Sequence, residues 1–191
     1  MQDQISSVCR APILKLRRLA SIRSDLSERT SARLVFDYLP LWLLQLCLGR
    51  FACGTNRSTA RVQNNAAQLV LKKRKRDHVT PLLNELYWPP VKFRCEYKIA
   101  TFAFRHFDSA LPSYPLAYLC TYQTSRILQS SSEKLLWIPK RNLKSVGDRS
   151  FSFIAPTVWK SLPLSLRNLP TLPDLKAYLK TFLFQQAFPQ I

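Results

Sequence analysis

Apolar residues recur at spacings of three and four along most of this chain, and prolines cut the pattern into short runs. Near the start, Ile13, Leu16, Leu19 and Ile22 form one stripe of a predicted helix, with Lys15, Arg17, Arg18 and Arg23 around it. A second helix is expected over residues 28–34, with Ser27 or Thr30 able to cap it. The apolar run at 38–48 is broken by Pro40 and Gln45 and is shorter than the ~20 residues a membrane-spanning helix needs, so it reads as a buried helix or strand. Residues 59–71 predict a helix with Val62, Ala66, Leu69 and Val70 on one face and Asn64 and Asn65 turned to solvent. Thr80 as N-cap and Pro81 at the first helical position predict another, burying Leu82, Leu83, Leu86 and Tyr87 and ending at Trp88-Pro89-Pro90.

Residues 91–107 are apolar on two sides. One side carries Val91, Cys95, Ile99, Phe102 and His106, and the other Phe93, Tyr97, Ala100, Phe104 and Phe107. A helix apolar nearly all round belongs in the centre of a bundle. A turn at 111–115, a short helix at 116–120 and a polar loop at 130–132 follow, and LLWIP at 135–139 is the one candidate strand. Within 144–163, Gly147 suits a tight turn and Asp148 occupies an N-cap position. Phe151, Ile154, Ala155, Val158 and Trp159 then line one helical face until Pro163 stops it. The last helix opens with Pro173 at its first position and Asp174 near its positive end, and buries Leu175, Tyr178, Leu179, Phe182 and Leu183. The sum is a mainly α fold. It is an irregular bundle of proline-punctuated helices with at most one short strand or hairpin near 134–140.

Composition sharpens this. Three glycines against 13 prolines fit short elements with abrupt stops, and 47% hydrophobic content in 191 residues is enough for a buried core. The formal charge of +18, from 29 basic and 11 acidic residues, calls for a polyanionic partner, nucleic acid before anionic membrane. Cys9, Cys47, Cys53, Cys95 and Cys120 are odd in number, widely spaced and without a CxxC pair, which argues against both a zinc site and a disulfide framework and for a reducing, intracellular setting. His78 and His106 lack a carboxylate or nucleophile at a telling spacing and are expected to be structural. No metal, cofactor or small-molecule substrate is implied.

The sharpest local feature is KKRKR at 72–76, in a stretch with no acid from Tyr38 to Arg76. It reads as phosphate-backbone contact, as a nuclear import signal, or as a solvated turn between helices. Lys140, Arg141 and Lys144 make a second basic patch, and Trp137 and Trp159 beside it could stack on bases, although buried core is the expected place for both.

The block KSVGDRSFSFIAPTVWKSLP at 144–163 resembles the GDRxFSxxAPxxWxxLP block near the C-terminus of the reverse-transcriptase polyproteins of non-LTR retrotransposons of the CR1/L2/Rex type. LPDLKAYLKTFLF at 172–184 is similar to their SLxxFKxxLKTHLF ending. DHVTPLLNELYWPPVKFRCEYKIATFAF at 77–104, TARVQNNAAQLVL at 59–71 and the arm at 5–33 match further segments of the same family. The family pattern LDYCNSLLxGLP fails here, where the chain reads WLLQLCLGRF; a frameshift over about 41–55 is the hypothesis for the departure, and a coding DNA in which no shifted frame spells a DYCNS-like peptide would refute it.

The resemblance implies three regions: a basic amphipathic arm at 1–35, an aberrant apolar segment at 36–56, and a helical C-terminal domain at 57–188. It implies a helical region beyond the polymerase that helps hold RNA or DNA. Carried onto this chain, the candidate contacts are Arg61, Lys72, Lys73, Arg74, Lys75, Arg76, Lys140, Arg141, Lys144 and Arg149. Catalysis is not expected. The paired carboxylates that hold two metal ions for phosphoryl transfer have no counterpart, since the chain has no adjacent acidic pair, and no phosphate-cradling or nucleophile-elbow motif occurs. The rival expectations are a helical module that binds another protein and a translated product with no selected function.

Overall fold

The structure, a computed structural model, describes residues 13–14, 16–22, 25, 27, 30, 57–74, 76–107, 119–122, 134–140 and 150–189. It is mainly helical, with α1 at Arg57–Val70, α2 at Val79–Glu85, α3 at Val91–Phe107, α4 at Phe151–Ser161, α5 at Leu164–Arg167 and α6 at Leu172–Ala187. Among the described residues no strand forms, and the one extended pairing is an isolated antiparallel bridge between Thr121 and Leu136. The described residues divide into two compact units, the first ending at Lys92 and the second beginning at Phe93, within the first turn of α3. The expected elements at 28–34, 38–48, 111–115 and 130–132, with Gly147 and Asp148, lie outside the described residues apart from Thr30, which is helical.

In the first unit the described residues of 13–21 are helical, with Ile13, Leu16 and Leu19 half-buried and Arg17 and Arg18 exposed. Thr30 donates its N–H to Ser27 Oγ at 3.2 Å, so of the two candidate caps Ser27 is the one that accepts. Helix α1 buries Val62, Ala66, Leu69 and Val70 as its pattern predicts, and with them Ala67. Two alanines on this face let α1 approach its neighbour closely, and it packs against α2, which buries Leu82 and Leu83. Gln63 is also buried. Its Nε2 donates to Pro89 O at 2.9 Å, which ties the Trp-Pro-Pro segment to α1 and meets the hydrogen-bonding need of a buried amide.

Helices α1 and α2 end the same way. After α1, Lys73 N donates to Gln68 O at 3.0 Å and Lys72 N to Leu69 O at 3.3 Å; after α2, Trp88 N donates to Leu83 O at 2.8 Å and Tyr87 N to Asn84 O at 3.0 Å. These are Schellman closures, in which the residue past the cap turns left-handed so that the last carbonyls find donors. The left-handed residues are Lys72 and Tyr87, each at φ 52°. Glycine is the usual occupant, because a Cβ there costs ~1–2 kcal/mol. The closure corrects an expectation. Tyr87 points outward, 74% exposed, and Trp88 takes the buried place. Helix α2 also starts earlier than expected: its N-cap is His78, with no side-chain cap bond, so Pro81 is its third residue and Thr80 is not the cap.

The second unit is built around Trp159. Helix α4 starts from Ser150 rather than Asp148, runs through the buried Pro156, and buries Phe151, Ala155 and Trp159. Trp159 is 0% exposed, with its ring centroid 6.3 Å from Phe104 and 5.8 Å from Phe107 of α3. Its Nε1 donates to Lys134 O at 2.6 Å, which fixes the extended segment 134–140 to the core. Ile99, Ala100, Ala103, Phe104, Leu119, Leu136, Leu162, Leu166, Leu175, Leu179 and Leu183 complete the cluster. Along α3 only Lys92 is fully at the surface, in keeping with a central helix.

Leu162 caps α4 before Pro163, and α5 follows at once, with Arg167 Nε donating to Leu162 O at 3.2 Å. Helix α5 packs on α6. The N-cap of α6 is Thr171, whose Oγ1 accepts Asp174 N–H at 3.3 Å and donates to Asp174 Oδ2 at 2.5 Å. Pro173 is therefore second in the helix, one place later than expected. The α6 stripe is narrower than predicted. Leu175, Leu179 and Leu183 are buried and Phe182 half-buried, while Tyr178 is exposed. Residues 119 and 120, expected to end a short helix, instead run into the Thr121–Leu136 bridge.

Candidate nucleic-acid interface

The basic run leaves α1 as an organised turn. Lys72 takes the left-handed position, and Asp77 closes the loop behind it. Arg74 N donates to Asp77 Oδ2 at 2.7 Å, Asp77 N donates to Arg74 O at 3.1 Å, and Gln68 Nε2 reaches Asp77 O at 3.4 Å. The carboxylate next to the basic run thus accepts a backbone N–H that fixes the turn. Lys72, Lys73, Arg74 and Arg76 are all exposed. Arg61 is exposed on α1, some three turns upstream and about 15 Å along the helix axis. In the second unit Lys140 is exposed. Lys75, Arg141, Lys144 and Arg149 lie outside the described residues.

Arg61, Lys72, Lys73, Arg74 and Arg76 share one helix and the loop that ends it. Such a set can meet successive phosphates, which suits backbone contact rather than base reading. The structure corrects the expected place of one aromatic residue. Trp137, expected in the core, is 47% exposed and stacks on Tyr122, 44% exposed, with ring centroids 6.0 Å apart and planes 11° from parallel. The alternation of a strand carries the missing signal. With Leu136 buried, its neighbour Trp137 must face the other way.

His78 is exposed at the start of α2. His106 is half-buried with its ring edge-on to Phe107 at 5.5 Å, and burial lowers its pKa below the usual imidazole value. Burial likewise raises the Tyr97 phenol above its ordinary range. Among the described residues no group of three or more His, Cys, Asp and Glu side chains could hold a metal ion, and no helix is long and apolar enough to cross a membrane. Cys120 is an exposed free thiol, and Cys95 is half-buried. Comparison with protein-family models, with curated proteins and with solved structures finds no match to this chain.

Proposed function

We propose that this chain is a non-catalytic C-terminal remnant of a non-LTR retrotransposon reverse-transcriptase polyprotein, which binds RNA or DNA through the phosphate backbone without sequence preference. The observation that carries the reading is the exposure of Arg61, Lys72, Lys73, Arg74 and Arg76 on one helix and its terminal loop, in a chain of net charge +18. Point cations of this kind release condensed counterions on binding, so affinity follows salt rather than sequence. Lys75, Lys140, Arg141, Lys144 and Arg149 extend the proposed contact set. The basic run at 72–76 also serves, on this reading, as a nuclear import signal.

The test is a gel shift on single- and double-stranded RNA and DNA of unrelated sequences at about 50 and 200 mM salt. Five phosphate contacts predict a loss of roughly several hundredfold in affinity between the two salts, and a shallower dependence when Lys72, Lys73, Arg74 and Arg76 are changed to Gln. Absence of any shift at the lower salt excludes the reading. Decayed polymerase motifs in the DNA immediately upstream of the coding sequence would support the ancestry, and intact unrelated sequence there would count against it.

A further inference from the structure

An aromatic pair on the second unit carries the binding reading further. The Thr121–Leu136 bridge is flanked by Tyr122 N donating to Leu135 O at 2.9 Å and Trp137 N donating to Cys120 O at 2.7 Å. This register puts Leu119 and Leu136 on one face and Cys120, Tyr122, Leu135 and Trp137 on the other. Leu119 and Leu136 are buried in the core, so the second face is the outer one. On it Tyr122 and Trp137 are diagonal neighbours, a spacing that aromatic side chains can bridge. They do so as an offset stack of nearly parallel rings, each ring close to half exposed.

The stack is held in place. Trp159 Nε1 grips Lys134 O from the core, three residues before Trp137, and the two bridge-flanking hydrogen bonds fix the backbone at both rings. Aromatic rings with two rotatable bonds lose little entropy on binding, and rings already stacked lose less still. Lys134 is turned to the core side, its Nζ 5.3 Å from the Phe104 centroid. Lys140 is exposed three residues beyond Trp137, at most about 10 Å along the chain, which is within reach of a phosphate flanking a base on the indole. Flat exposed rings beside a cation, in a strongly basic chain, match an unpaired nucleotide better than an apolar protein surface.

From this we infer that Tyr122 and Trp137 form a stacking platform for one unpaired base of a single-stranded nucleic acid, with Lys140 on the adjoining phosphate. The inference rests on the backbone-binding reading and adds to it a preference for single strands. A duplex keeps its bases stacked on one another, so it meets only the cations. Stacking makes no use of the 2′-hydroxyl, so RNA and DNA single strands are bound alike.

The test uses the full chain at low salt with labelled oligo(dT), oligo(U) and a duplex of equal length, read by fluorescence anisotropy and by quenching of tryptophan emission. The expected result is tighter binding of both single strands than of the duplex. W137A should weaken single-strand binding roughly 5- to 100-fold and leave duplex binding within about twofold. W137F, which keeps a ring and the fold, should retain most of the affinity and abolish the quench. Wild-type protein that binds single strands and duplex equally, or saturates with oligo(dT) without quenching, overturns the platform and leaves the backbone-binding reading standing. Equal losses on both probes in W137A overturn it as well. Failure of the wild type to bind any probe at low salt overturns both.

Discussion

Replacing Trp159 by alanine tests the packing of the second unit most directly. The side chain is 0% exposed and touches Phe104 and Phe107, so truncation removes a full aromatic volume from a site ringed by large neighbours. Phe/Trp→Ala changes at such sites cost about 3–5 kcal/mol. Loss of the Nε1–H donor leaves Lys134 O without that bond, which adds ~1 kcal/mol or more unless water enters the cavity. A total of about 4–6 kcal/mol is roughly a quarter or more of the ~5–15 kcal/mol that holds a domain folded. For a chain of this length it lowers Tm by roughly 8–24 °C. Urea denaturation followed by far-UV circular dichroism gives the free energy, provided the slope matches that of the wild type. Trp159→Phe separates the two contributions. It keeps a ring against Phe104 and Phe107 but no donor, and is expected to cost about 1–3 kcal/mol. A midpoint for Trp159→Ala within error of the wild type would refute the central place given to this residue. Equal losses in the two variants would assign the effect to the hydrogen bond rather than to packing.

Tyr87→Gly is expected to raise stability by ~0.5–1 kcal/mol, because the left-handed turn after α2 then carries no Cβ; an unchanged melt would mean that the position is not strained. Thr171→Ala removes the cap of α6 and should cost about 1 kcal/mol in the same urea assay, with Thr171→Ser close to wild type. Burial lowers the His106 pKa, so the unfolded chain takes up the proton first as pH falls. The fold keeps its full stability above the ordinary value of ~6.5 and loses part of it as pH drops from there through the folded pKa. A Tm series from pH 8 to 5 should therefore fall less steeply for His106→Gln than for wild type, and parallel curves would reject the assignment. The double change Lys72→Gln/Lys73→Gln should lower Tm slightly, whereas Arg74→Gln/Arg76→Gln should leave it level or raise it. Both pairs should weaken binding in the gel shift, and a matched loss of stability in the two would remove the functional argument from the basic run.

How far the sequence could be read depended on which physical rule governed each position. Helices α1 and α6 were legible because long stripes at helical spacing, Val62 to Val70 and Leu175 to Leu183, are decided by burial along a single element. The end of α2 was not. Tyr87 continues the helical stripe, and nothing in the local pattern says that the chain will turn left-handed there without a glycine. The N-caps slipped for a related reason. Ser150, Thr171 and His78 are each near another residue with equal or better capping chemistry, so the start is settled by where the packed face begins. Trp137 and Trp159 show the same limit in the candidate site. Both lie in apolar surroundings, and only the pairing of Leu136 with Thr121, a partner outside any local window, decides which of the two faces water. Exposure of Arg61, Lys72, Lys73, Arg74 and Arg76 was the easiest part to foresee, and the turn made by Asp77 with Arg74 the hardest, since it depends on where α1 stops.

The position of the basic run at a helix end allows stability and binding to be weighed separately. Cations in the last turn of a helix, or just past it, face the negative end of its dipole and are worth about 0.3–1 kcal/mol each, an effect that fades within a turn. Lys72 and Lys73 stand at that distance from Val70 and also donate backbone N–H groups to the last carbonyls of α1, so their charge has a structural use. Arg74 and Arg76 stand past it. Their backbone turn is closed by Asp77, and their exposed guanidinium groups add repulsion to a loop that already holds two cations. Lysine at the left-handed position points the same way, because asparagine or glycine would end α1 at lower cost. A loop shaped by stability alone would place a glycine at 72 and neutral residues at 74 and 76. That this one concentrates positive charge beyond what the helix end can use argues for a polyanion that offsets the repulsion when bound.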